Sequence, residues 1–265
     1  MTLSELDLEF VRRFVAERSA IVLEPSKDYL IESRVATLAA TEQIEPSAVV
    51  AAARTSPAGP VARKLVEAMT TNETSFFRDR LPFDALKQSV LPALITARSA
   101  QRRLTIWSAA SSTGQEPYSI AMLIRDEFPE LGTWDVRIIA TDLSSEALEK
   151  ARAGRYSQLE VGRGLPAPML LRHFDQDGTR WTVRQNIRDM VRFEELNLMA
   201  PWPMIRDIDV VFLRNVMIYF DPSSKEQILR NVARILRPDG FLFLGAGENV
   251  LNLNTPFVRE DVAAT

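Results

Sequence analysis

Glu116 sits at the opening of a helix that follows a strand and a small-residue loop. The stretch is Leu104 to Met122, LTIWSAASSTGQEPYSIAM. Its first residues read as a strand and Ser108 to Gly114 as a tight polar loop. A helix follows from about Glu116, with Pro117 in the first turn, where proline is tolerated. Such a loop lets a ligand approach the backbone, and the N–H groups at the helix start lack intrahelical acceptors. In a chain of alternating strands and helices this is the first place to look for a nucleotide-like cofactor. An ordinary strand-to-helix turn would look the same.

The loop narrows the chemistry. Its only glycine is Gly114, so it is neither GxGxxG nor GxxxxGK[ST]. A carboxylate at this helix start repels phosphate and suits a cation. That points away from NAD or ATP and toward S-adenosylmethionine, which carries a sulfonium, an amino group and a ribose but no phosphate. Three more segments carry chemistry-bearing residues. Asp142 ends the strand in RIIATDLS; it could accept ribose hydroxyls, or simply open the next helix together with Ser144. MTTNETSFFRD (Met69 to Asp79) places polar residues, two phenylalanines and Arg78 together. It is either a linker or a binding segment, and Arg78 could hold a carboxylate in a bidentate pair. DVVFLRNVMIYFD (Asp209 to Asp221) puts Arg214, Asn215 and Tyr219 after a buried strand. These are ligand contacts, or a structural ion pair and a core aromatic.

Composition removes other chemistries. The 265 residues include no cysteine and one histidine, His173. Disulfides, iron–sulfur clusters, thiol catalysis and a His/Cys zinc site are excluded, and no metal is expected. His173, in LLRHFD, reads as a surface residue. The net charge of −3 argues against a dedicated nucleic-acid binder. No apolar run reaches membrane-span length and no leader pattern opens the chain, so a cytoplasmic protein without membrane insertion is expected.

These groups need a scaffold, and the pattern supplies one. Residues 2–18, 26–41, 46–53 and 60–69 have helical periodicity, with a Thr2/Glu5 capping box at the start and breakers at Thr55, Ser56, Pro57 and Gly59. No strand signal precedes about residue 100, so residues 1–80 read as a helical N-terminal domain with linker, and 81–265 as the second domain. Residues 82–98 form a connecting helix bent at Pro92. Strands are expected at Thr105–Ala109, Val136–Thr141, Val191–Glu194, Asp209–Leu213 and Phe241–Gly245. Helices are expected at Pro117–Asp126, Ser145–Ala153 and Ser224–Leu236, the last stopped by RPDG. This order implies α/β architecture with a doubly wound, mostly parallel sheet. Residues 154–190 break it with an antiparallel excursion, whose turn Gln176–Thr179 has Asp177-Gly178 at its centre.

Taken together, MTTNETSFFRD, WSAASSTGQEPYSIAM, IIATDLSSEALEKARAGRY, VRFEELNLM, DVVFLRNVMIYFD and LRPDGFLFLGAGE resemble the CheR family of chemoreceptor glutamate O-methyltransferases. The resemblance runs to about residue 250. It implies a class I methyltransferase, Rossmann-like fold with an all-helical N-terminal domain and a small inserted antiparallel β-subdomain. It implies S-adenosyl-L-methionine as cofactor and S-adenosyl-L-homocysteine as product. Cofactor contacts are implied for Asn72, Thr74, Arg78, Glu116, Asp142, Asn197, Leu198, Arg214 and Asn215. Tyr219 is expected near the methyl group, with Arg78 and Tyr219 as orienting groups. The implied substrate is glutamate side chains on the cytoplasmic helices of chemoreceptors (methyl-accepting chemotaxis proteins).

The chain departs from the family in places. It has Ser111 where many members have cysteine and Gln115 where glutamate is frequent. The short turn FDQDGTRW points to an enzyme independent of a receptor pentapeptide. The end at VREDVAAT leaves the sheet one strand short, or the sequence trimmed. The N-terminal helices carry Arg12, Arg13, Arg18, Lys27 and Arg34. They form either a basic face that steers acidic receptor helices, with Arg12, Arg13, Lys27 and Arg34 as substrate contacts, or ordinary solvated charge. A monomer is expected. Two other functions fit less of the pattern: a class I methyltransferase of another protein or small molecule, and a cofactor-binding signalling scaffold without activity.

Overall fold

Apolar spacing in the first seventy residues closes into four helices: α1 (Glu5–Ser19), α2 (Asp28–Glu42), α3 (Pro46–Thr55) and α4 (Pro60–Ala68). The computed structural model describes residues 3–203, 206–250 and 253–260. Thr2 of the expected capping box lies outside the described residues. Ser4 caps α1 instead, accepting from the Asp7 N–H at 3.2 Å, a contact worth about 1 kcal/mol. α3 and α4 each start on a proline whose missing N–H costs nothing there. Val11, Phe14, Val15, Ile31, Val35, Val49 and Leu65 are buried among these helices. This helical unit comprises Met1–Thr71 with two later segments, Asn197–Pro201 and Tyr219–Ile228.

The second unit comprises Asn72–Leu196, Trp202–Ile218 and Leu229–Thr265. It opens with α5 (Leu81–Ala85) and α6 (Leu91–Ala97), joined by a π-helical turn over Leu86–Val90. The bend expected at Pro92 takes this form: Pro92 has no N–H, and the wider turn lets Leu91 N–H reach the Leu86 carbonyl. Alternation then follows: β1 (Arg103–Ala109), α7 (Gln115–Glu127), β2 (Asp135–Asp142) and α8 (Ser145–Ala153). The excursion holds β3 (Arg155–Ser157), α9 (Gln158–Gly162), α10 (Ala167–His173), β4 (Phe174–Asp177), β5 (Arg180–Val183) and α11 (Gln185–Arg188). The chain ends with β6 (Val191–Glu195), β7 (Ile208–Leu213), α12 (Pro222–Ile235) and β8 (Leu236–Leu244).

The main sheet is parallel with order β6-β2-β1-β7-β8, and a separate antiparallel sheet has order β3-β5-β4. The order reverses between β1 and β7, which makes their carboxyl ends the switch point where ligands bind in open α/β sheets. Among the described residues this sheet has five strands; the end of VREDVAAT, from 261, lies outside them. Two local expectations shift. Asp177 pairs with Arg180, so Gly178-Thr179 is the two-residue loop, with Gly178 at φ 56° in its first position. RPDG does not separate α12 from β8 but bulges within the strand, because the register runs from Ile208↔Leu236 to Val210↔Phe241.

The bulge has a physical reason. Asp209 is buried in β7, and Arg98 reaches it at 2.7 Å while holding Asp239 of the RPDG turn at 2.8 and 2.6 Å. The other Asp209 oxygen accepts from the Thr105 N–H at 2.8 Å. A buried carboxylate needs these partners.

Candidate active site

Strained backbone marks the segments that carry the predicted site residues. Left-handed φ values at non-glycine residues occur at Phe77 (48°), Asp79 (67°), Arg80 (48°), Ala110 (55°), Ser112 (51°) and Asn215 (58°). Each costs on the order of 1 kcal/mol or more and persists only where its surroundings impose it. Ala20 and Gln43 share this geometry as ordinary helix C-caps, and Arg102 and Asp207 share it just before β1 and β7.

The TTNETSFFRD segment is anchored rather than slack. Phe76 is fully buried, with its ring 5.1 Å from Tyr156 and 5.6 Å from Phe174, both near edge-on. Phe77 N–H donates to Ser119 Oγ at 3.0 Å, and its ring meets Phe83 at 5.1 Å. Gly164, at φ 86°, lies so close that a Cβ there would sit 2.0 Å from the Phe76 carbonyl oxygen. The adjacent aromatics are therefore the fixings of the polar run.

That fixing brings Arg78 and Asp79 to Arg214. The Arg214 guanidinium is buried and donates to Glu116 at 2.8 Å, to Asp79 at 2.8 Å and to the Arg78 carbonyl at 2.9 Å. Ser108 Oγ donates to the other Glu116 oxygen at 2.8 Å. Burial raises the Glu116 carboxyl above the usual range, while Arg214, Ser108 and Arg78 pull it back. The helix-opening carboxylate, read as an open cation site, is thus already engaged by a protein cation. Arg78 itself donates to the Glu73 carbonyl at 2.8 Å.

Asp142 does what a helix-opening acid does and also ties two loops together. One oxygen accepts from Ser144 N–H at 2.9 Å, the other from Ser112 N–H at 2.7 Å. Ser112 Oγ in turn donates to the Asn72 carbonyl at 2.9 Å. Asn72 and Thr74 line a polar cavity of about 430 Å³ with Thr113, Gln115, Lys150 and Arg163 among its walls. Asn215 N–H donates to Glu248 at 2.8 Å.

The remaining predicted residues belong to the helical unit. Asn197 Nδ2 donates to the Arg18 carbonyl at 2.6 Å, and its Oδ1 accepts from Met199 N–H. Leu198 is buried. Tyr219 is half-buried and its carbonyl accepts from Val22 N–H at 2.9 Å. Arg12 pairs with Asp28 at 2.5 Å and more distantly with Glu5, so its charge is compensated locally; the bond to Asp28 raises its pKa further. Arg13 meets Glu17 at 3.8 Å, Arg34 bonds Thr71, and Lys27 is exposed.

His173 corrects an expectation. It is buried, not on the surface, with Nε2 2.9 Å from Asp126, a carboxylate that Arg172 also pairs. Desolvation lowers its pKa despite Asp126. Sequence reasoning also passed over Asp79, Ser108 and Ser112. Asp79 closes the motif already singled out, and the two serines lie in the loop, so their positions were available but their partners were not.

Residues 72–264 match the family model described as CheR methyltransferase, SAM binding domain. Chemotaxis protein methyltransferase 1 of Pseudomonas aeruginosa is 44% identical over 258 residues, covering 96% of this chain and 93% of that protein. Chemotaxis protein methyltransferase Cher2 of Pseudomonas putida is 41% identical over 254 residues, covering 94% and 92%. The chemotaxis protein methyltransferase of Vibrio parahaemolyticus is 39% identical over 264 residues, covering 97% and 94%.

Proposed function

This chain belongs to the CheR methyltransferase family, and on that premise we propose that it methylates glutamate side chains on the cytoplasmic helices of chemoreceptors, independently of a receptor pentapeptide. S-adenosylmethionine is the cofactor. The observation that carries the reading is the convergence of three sequence runs, FFRD, STGQEP and LRN, where the buried Arg214 guanidinium meets Glu116 and Asp79 at the carboxyl end of the sheet.

The residues fit the cofactor. Among the described residues, Ser111 Oγ, Arg188 Nε and Arg214 Nε are buried with no hydrogen-bond partner, and the first and last of these lie in the site segments. The groups assigned to it are carboxylates, a hydroxyl, amides and the Arg214 guanidinium, while Lys150 and Arg163 of the adjoining cavity are paired with Glu160 and Glu73. Asp142 would hold the ribose. Asn72, Thr74, Glu116, Arg214 and Asn215 would hold the rest. When bound, the cofactor supplies a methyl group on a sulfonium. The chain's residues then have to orient, exclude water and leave the nucleophile ionised. An exposed glutamate, with pKa about 4.3, is already a carboxylate near neutrality and needs no general base. The buried His173–Asp126 pair is accordingly a packing feature. Aligning two opposite charges in a partly dry site lowers the barrier. Arg78 is the orienting group, placed at the cofactor end because a tight arginine–carboxylate pair would blunt the nucleophile.

Incubating the protein with methyl-labelled cofactor and receptor-containing membranes tests this. Alkali-labile label on the receptor is expected; alkali-stable label, or label on another protein, would point to a different methyltransferase activity.

A further inference from the structure

Five backbone N–H groups converge on one carboxylate outside the cluster described above. Glu248 Oε1 accepts from Val216 at 2.9 Å, Met217 at 2.7 Å and Ile218 at 3.3 Å; its Oε2 accepts from Asn215 at 2.8 Å and Gly245 at 2.7 Å. Successive N–H groups aimed at one point form an anion nest. Here the anion is a side chain of the same chain, delivered from the turn after β8 to the loop after β7. The closeness is extreme on both sides. A Cβ on Gly245 would lie 2.7 Å from Asn215 Nδ2 and 2.8 Å from Glu248 itself. Asn215 holds φ 58° to aim its N–H inward. Without the carboxylate, five amide donors would lose their shared acceptor, and the strained turn at Asn215 would lose what holds it.

We propose that Glu248 is a positioning residue for methyl transfer: by filling the nest it folds the loop after β7 so that Arg214 and Asn215 are presented to the cofactor. This rests on the assignment of those two residues to the cofactor site. Glu248 acts through them and touches no reacting atom.

The test uses the full chain with Glu248→Ala and Glu248→Gln. Three readouts are taken: S-adenosylhomocysteine affinity by calorimetry, hydrogen exchange over residues 214–218, and rescue of the alanine variant by formate against sodium chloride of equal ionic strength. The expected result is faster exchange confined to that loop and affinity at least tenfold weaker in both variants. Formate, a carboxylate small enough to enter the nest, should restore part of the alanine variant's affinity where chloride does not. Unchanged loop exchange overturns the proposal. Loosened exchange with affinity within twofold of wild type also overturns it, and places the error in assigning Arg214 and Asn215 to the cofactor, not in the nest. Should the alanine variant fail to fold, the glutamine variant, which is close in shape, decides by the same exchange and affinity readouts.

Discussion

Asp142 has two roles in the structure that a single substitution can separate. Its oxygens brace Ser112 and Ser144, and the carboxylate is the proposed ribose acceptor. Asp142→Asn keeps one acceptor oxygen for the bracing but removes the charge. Calorimetry should show affinity for S-adenosylhomocysteine weakened roughly tenfold or more, about 1.4 kcal/mol, with modest change in melting temperature. Unchanged affinity would assign Asp142 to loop bracing alone. His173 gives a second residue-level test, because it is the chain's only histidine. Its folded pKa is depressed by burial, although Asp126 opposes this and Arg172 and Arg184 add to it. Above about pH 6.5 both folded and unfolded states hold it neutral. As pH falls below that, the unfolded chain takes up the proton first, so stability drops until the folded value is passed. The single imidazole signal in a proton NMR titration should therefore show a midpoint below about 6.5, and His173→Asn should remove that part of the acid sensitivity. A midpoint at or above the unperturbed value would contradict the burial argument.

At the level of elements, the periodic helices and the parallel strands were legible because burial of one face imposes spacing that a sequence displays. What was not legible depends on partners far apart in sequence. RPDG looks like a helix stop, and only Asp239 meeting Arg98 explains why it bulges inside β8 instead. The turn between β4 and β5 slipped by one residue because both Asp-Gly and Gly-Thr can occupy its centre, and strand pairing decides. Glu248 closes the run LRPDGFLFLGAGE, but its role was not legible; a glutamate in a glycine-containing turn is ordinary until five amides point at it. Arg98 supports an element-scale prediction. With Arg98 and Asp209 both almost fully buried, Arg98→Met removes the nearer of two guanidinium partners and leaves Asp209 with Arg237 at 3.3 Å and the Thr105 N–H; the loss should be roughly 3 kcal/mol in denaturant unfolding, the low end for a broken buried pair. Adding Asp209→Asn should recover part of this. Full additivity of the two losses would mean the pair does not interact as the geometry shows. The cluster of Glu116, Asp79 and Arg214 was half legible: its motifs stood out, but an engaged glutamate could not be told from an open one without Arg214 in place.

Taking the molecule whole, the helical unit's charge decides how an acidic receptor helix would be met. Arg12 is compensated by Asp28 and Glu5, so Arg13, Lys27 and Arg34 carry any steering. Reversing both Lys27 and Arg34 to glutamate should raise the apparent KM for receptor several-fold at low salt, with little change in kcat, and the difference should shrink as ionic strength rises. Identical salt profiles for variant and wild type would reduce these residues to solvated surface charge. Among the described residues no helix is long and apolar enough to cross a membrane. The central claim is ester formation on those glutamates, and mapping the modified side chains measures it most directly. Receptor labelled by wild-type protein should yield peptides whose methyl group sits on glutamate and is released by mild alkali, and Asp142→Asn should lower the yield at limiting cofactor. Methyl groups that survive alkali, or that map to lysine, arginine or a backbone terminus, would contradict the account.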